Sequence, residues 1–135
     1  MACPSGGRWV MSHLVAPTQV TLVIPAAPEY LRLARLASTD AGSRVGLDYE
    51  QIDDLRMAVS ELCYLLIGEG GPGSVQLRFS IDGDEIAVDG STDGPVPDST
   101  GNDFTDLILD TVADFHEVVD EGNGRRFRVV KRRRD

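Results

Sequence analysis

Hydrophobic positions recur along this chain with two different periods, and the helical one is strongest between residues 48 and 68 (DYEQIDDLRMAVSELCYLLIG). There Ile52, Leu55, Val59, Leu62 and Leu66 return on one stripe at about 100° per residue. Met57, Ala58 and Leu65 make a second stripe on nearly the opposite side, with Glu61 among them. A helix apolar on two sides is packed on both, so Glu61 is expected to face a core or a pocket. Asp48 with Gln51 three residues on forms a capping-box pattern, and Gly68 followed by the Gly- and Pro-rich residues 69–73 forbids continuation.

Elsewhere the pattern alternates. Residues 18–24 (TQVTLVI) are β-branched and read as a strand ended by Pro25. Pro28 suits a first helical turn, and residues 30–45 carry Leu31, Ala34, Leu36, Ala37 and Ala41 as an apolar face stopped by Gly46. Residues 74–81 and 85–88 read as two strands joined by Asp82-Gly83-Asp84, a strong hairpin signal, with Val75, Leu77, Phe79 and Ile81 on one buried face. Residues 90–102 (GSTDGPVPDSTGN) form a long loop, of the kind that is usually functional or disordered. Residues 103–113 return to helix with Phe104, Leu107, Ile108, Thr111 and Val112 expected inward, and residues 115–120 and 126–131 close the chain as a second hairpin. The order β–α–α–β–β–α–β–β predicts a two-layer α/β sandwich: a mixed, mostly antiparallel sheet with three helices on one face.

Composition narrows the possibilities. At 135 residues and 41% hydrophobic content, a single domain over residues 18–135 is expected, preceded by a tail over residues 1–17 in which Met11 is an alternative start. No apolar run is long enough for a membrane span, and no leader pattern opens the chain. Cys3 and Cys63 make no disulfide framework, and Cys63 reads as a small buried hydrophobe, so a cytoplasmic setting is expected. The net charge is −9, yet seven of the thirteen basic residues fall in the last eleven positions. The acidic body argues against nucleic acid as main partner and suits a basic protein partner, while the basic run reads as a solvated end. His116 and His13 stand without evident partners, and no metal-ligand spacing appears.

The ordered set of IPAAPEYLRLARL (24–36), IDDLRMAVSELC (52–63) and VADFHEVVDEGNGRRFRVVK (112–131) resembles the histidine-kinase/gyrase-type ATPase fold, in its short anti-sigma-factor serine-kinase branch. That resemblance implies ATP with magnesium as cofactor, a sigma factor and an anti-anti-sigma (STAS-type) protein as partners, and a homodimer through the face of residues 18–36. It places Glu61 as the general base on the attacking hydroxyl or water. Leu65 stands where the family carries its magnesium-binding Asn, and a leucine offers no oxygen to a hard cation. The family's Asp-x-Gly-x-Gly, whose Asp receives the adenine amino group, maps onto residues 88–95, where Asp89 or Asp93 with Gly94 is the candidate. Turn chemistry is the favoured reading of both aspartates, since Asp-Gly is a turn dipeptide. The phosphate-holding Gly-rich stretch retains only Gly101, and Asp103 and Asp106 put negative charge at that helix start. With three motifs altered together, the expectation is a sigma-sequestering regulator with nucleotide binding weakened or lost. The alternative is an active kinase of the anti-anti-sigma protein.

Overall fold

The structure, a computed structural model, describes residues 18–93, 95, 97, 103–122 and 124–134. The tail over residues 1–17, Gly94, Gly101, most of the 94–102 stretch and the Asp103 side chain lie outside the described residues. Strand β1 (Thr18–Pro25) leads through a single 3₁₀ turn (Pro28–Tyr30) into helix α1 (Leu31–Val45) and then α2 (Tyr49–Ile67). The hairpin β2 (Ser74–Asp82) and β3 (Glu85–Thr92) follows, then α3 (Asp103–Val112) and the hairpin β4 (Phe115–Glu121) and β5 (Gly124–Arg132). All five strands make one sheet in the order β1-β2-β3-β5-β4, and every pairing is antiparallel.

The boundaries have local causes. α1 ends at Gly46, whose φ of 94° is left-handed, and the amides of Gly46 and Leu47 both reach the Gly42 carbonyl, closing the helix as glycine-terminated helices do. α2 starts on the expected capping box: Asp48 Oδ1 accepts from the Gln51 amide at 2.8 Å, and the Asp48 amide donates to Gln51 Oε1 at 3.3 Å. Gln51 is also buried, because its Nε2 donates to the Arg132 carbonyl at 2.7 Å. One residue thus caps the central helix and clamps the end of β5 beneath it.

The three helices cover one sheet face. Leu55, Val59, Leu62 and Leu66 of α2 pack on Val75, Leu77 and Phe79 of β2, Ile86 and Val88 of β3, and Phe127 and Val129 of β5. On the outer face, register neighbours Arg78, Asp89, Arg128 and Glu117 form an alternating-charge row across four strands. That outer face needs no cover, and it has none among the described residues.

Several side chains differ from the periodic reading. In the second α2 stripe Ala58 and Leu65 are buried but Met57 is about half exposed. Leu36 of α1 is exposed at 59%, because α1 seats its small residues Ala34, Ser38 and Ala41 against the core. On α3 the inward residues are Leu109 and Val112, with Ile108 at the margin, whereas Phe104 and Leu107 are exposed at 69% and 62% and Thr111 also faces out. Spacing of three and four allows either stripe there; the one buried carries Leu109 and Val112, and beside it Asp110 Oδ1 lies 2.7 Å from His116 Nε2 of β4. β3 also continues four residues past the expected end at Val88, which carries Asp89 into a strand. No helix among the described residues is long and apolar enough to cross a membrane.

Candidate active site

Helical spacing places Asp54, Ala58, Glu61 and Leu65 in succession along one flank of α2. Both ends of that flank meet α3. At one end Lys131 Nζ bridges Asp54 Oδ2 (3.3 Å) and the Val112 carbonyl (2.8 Å). At the other, Leu65 shares a cavity of about 450 Å³ with Asp106 and Leu109. Glu61 lies between them, half-buried, and forms no hydrogen bond or ion pair among the described residues. A half-buried carboxylate without a partner is available to accept a proton, which a general base requires.

Leu65 is buried, and its carbonyl accepts from Arg125 Nη1 at 2.7 Å. Arg125 Nε in turn donates to Asp120 Oδ1 at 2.6 Å. The Arg125 guanidinium, almost wholly buried, thus joins the last turn of α2 to the β4–β5 hairpin. The Arg125 hydrogen bond holds the Asp120 carboxyl below the usual carboxylate range. A lowered folded-state value means that the pair stabilises the fold above the ordinary carboxylate value, about 3.9, and that this contribution is lost as pH falls below it. Urea unfolding as a function of pH is expected to show this acid-side loss in the native chain and less of it in Asp120→Asn.

The other candidates are dispersed. Asp89 sits on the outer sheet face, where both of its oxygens accept from Arg128 Nη1 at 2.9 and 2.8 Å. Alternation along β3 turns it away from the helices and from Glu61. Its role in β3 is therefore that of a cross-strand ion pair rather than a turn residue. Asp93 accepts from the Ser74 amide at 2.8 Å and from its hydroxyl at 3.3 Å, fastening the start of β2 to the end of β3. Gly94 and Gly101 are outside the described residues. Cys63 is fully buried and burial pushes its thiol up to about 12, so it is inert as a nucleophile.

The basic run at the end is only partly solvated: Arg126, Arg132, Arg133 and Arg134 are exposed, but most of the run is built into the sheet as β5. Alternation along β5 sends Arg125, Phe127, Val129 and Lys131 inward. Its outward residues pair with acids: Arg126 with Glu121, Arg128 with Asp89 and Arg132 with Glu85. Arg125 and Lys131, the two cations that frame the α2 flank, were legible only as members of that alternation.

An antiparallel sheet with three helices on one face, carrying an unpaired glutamate on the flank of its central helix, is the layout of an ATPase-type domain. The model of the histidine kinase-like ATPase domain matches residues 24–128, and the chain belongs to that family. It is similar to the serine-protein kinase RsbW of Bacillus subtilis (strain 168), with 36% identity over 73 residues covering 51% of this chain and 46% of that protein. It is likewise similar to the serine-protein kinase RsbW of Listeria monocytogenes serotype 4a, with 37% identity over 81 residues covering 56% of this chain and 51% of that protein. The chain thus spans about half the length of the curated relatives it matches.

Proposed function

We propose that this chain is an anti-sigma-factor-like regulator: it binds and sequesters a sigma factor, is countered by an anti-anti-sigma partner, and binds nucleotide weakly or not at all. The observation that carries the reading is Leu65. In the family's helix an oxygen ligand for magnesium follows the Glu by one turn; here that position is a buried leucine. The cavity beside it is lined by Asp106, Glu117 and Asp120, and its one guanidinium is already held by Asp120 and the Leu65 carbonyl. The negative charge of these carboxylates opposes a triphosphate, and among the described residues no three such side chains stand together as a metal site. Among the nucleotide candidates, Asp89 is engaged by Arg128 on the far sheet face, and Asp93 is engaged by Ser74.

Similarity to proteins named serine-protein kinases supports placing the chain in the kinase and regulator branch of the family, and a cytoplasmic setting is part of the proposal. For dimerisation through the β1–α1 face, support comes from exposed Val20, Leu33 and Leu36 and from the uncharged edge strand TQVTLVIP. Co-elution of the purified chain with its cognate sigma factor, with and without ATP, is the deciding experiment. A stable complex under both conditions is expected; separate elution under both overturns the proposal.

The second reading, an active kinase of the anti-anti-sigma protein, draws on the unpaired Glu61 carboxylate. Transfer of labelled phosphate from ATP to that partner, abolished in Glu61→Ala, would establish it. Absence of transfer by the native chain removes it.

A further inference from the structure

The two edges of the sheet differ in chemistry. β1 is uncharged along its length, whereas β4 (FHEVVDE) carries Glu117, Asp120 and Glu121. β4 pairs only with β5 among the described residues, so its other side presents unpaired backbone amides and carbonyls. Acidic side chains along such an edge oppose pairing between two copies of the chain. They do not oppose a basic strand.

The 450 Å³ cavity lies directly along this edge. It is lined by His116, Val118 and Asp120, which point to the helix side of β4, and also by Glu117, which points to the other side, so it opens around the strand's free margin. Leu65, Leu109 and Val118 give it an apolar lining. Asp106 of α3 and Glu117 of β4 line it too, and neither makes an ion pair among the described residues. Apolar walls with unpaired carboxylates suit an aliphatic cationic side chain, whose methylenes and charged head need those two surfaces separately.

We propose that β4 is a docking edge for an extended basic segment of a partner protein. The segment adds as a sixth strand beside β4, its backbone pairing with the free amides and carbonyls. Because successive side chains of a strand alternate in direction, a lysine or arginine turned to the helix side enters the cavity and meets Asp106, while Glu117 stands at the margin on the other side of β4. This goes beyond the sigma-factor reading, since it specifies the chemistry and conformation of the bound segment rather than the protein that supplies it.

A short blocked peptide alternating lysine and threonine is the probe. Its binding to the full chain is followed by fluorescence anisotropy, and its location by hydrogen exchange. The expected result is saturable binding with slowed exchange at the β4 amides. A peptide of equal charge with proline in place of each threonine is expected to bind at least about tenfold more weakly, since it cannot complete the ladder. Asp106→Asn combined with Glu117→Gln is expected to weaken the alternating peptide by about tenfold. Asp106→Asn alone, on α3 and outside the sheet, is expected to account for part of that loss, with thermal unfolding unchanged. Equal binding of the proline peptide, or protection away from β4, shows attraction to the acidic body only and overturns the proposal. Unaltered affinity in the substituted chains overturns it as well.

Discussion

Phe127→Ala is expected to cost about 3–5 kcal/mol of stability, and Gly90→Ala about 1–3 kcal/mol, for two sides of one contact. Phe127 is 2% exposed and belongs to the central core. It is the register partner of Gly90, and its ring lies over the glycine. A Cβ at position 90 would stand 2.6 Å from the Phe127 Cζ and 3.0 Å from its Cδ2, closer than carbon atoms pack. Removing the ring leaves a cavity between β3, β5 and α2; adding a methyl forces the ring out of its place. The two effects must be coupled. In a Phe127→Leu background, where the ring is gone, Gly90→Ala is expected to cost clearly less than in the native chain. Urea midpoints at constant slope measure each arm. Additive costs would show that Gly90 is required for a reason other than the ring.

The second large effect concerns Lys131. Its side chain is 9% exposed, its ammonium bonded to Asp54 and to the last carbonyl of α3. Asp54→Ala leaves that ammonium with one carbonyl in place of a counter-charge. The expected cost is about 2–3 kcal/mol, below the range for a fully buried pair because Asp54 is itself one-third exposed. Replacing both partners, Asp54→Leu with Lys131→Met, is expected to recover most of the loss, since paired deletion leaves no uncompensated charge. Urea unfolding of the single and double variants checks this; equal instability in both would assign the loss to packing. The bridge holds α3 against the α2 flank that bears Glu61, so its loss is expected to loosen that end of α3.

Most of the architecture was legible because it rests on local rules. The capping box at Asp48 and Gln51, the Gly46 stop and the Asp82-Gly83 hairpin each follow from one or two side chains acting on nearby backbone. Two hairpins account for two of the four strand pairings; the other two, β1 with β2 and β3 with β5, are reached through helical connections and are also antiparallel, so the sheet is uniformly antiparallel rather than mixed. Tertiary choices were harder to read. α3 has two stripes of similar spacing, and which one faces inward is decided by packing of Leu109 and Val112 against the core built by other elements. Likewise, a run such as RRFRVVK looks like solvated charge until its partners on four other elements are known, because alternation alone does not tell which face is buried. Glu61 was visible as a carboxylate between apolar stripes. The cations that bind the flank on either side of it, Arg125 at Leu65 and Lys131 at Asp54, depend on contacts 60 and 77 residues distant in sequence.

Nucleotide is the point on which the functional proposal turns. Thermal unfolding of the purified chain, measured with and without millimolar magnesium ATP, tests it most directly. A ligand present at a hundredfold over its dissociation constant stabilises a fold by roughly 2.7 kcal/mol, a displacement of several degrees. The expected result is an unchanged midpoint, because Leu65 supplies no oxygen to magnesium, no metal-holding group stands among the described residues, and the carboxylates of the adjoining cavity repel a triphosphate. A dose-dependent rise of several degrees, lost when magnesium is chelated, would contradict the proposal and return Glu61 to service as the base of a working kinase.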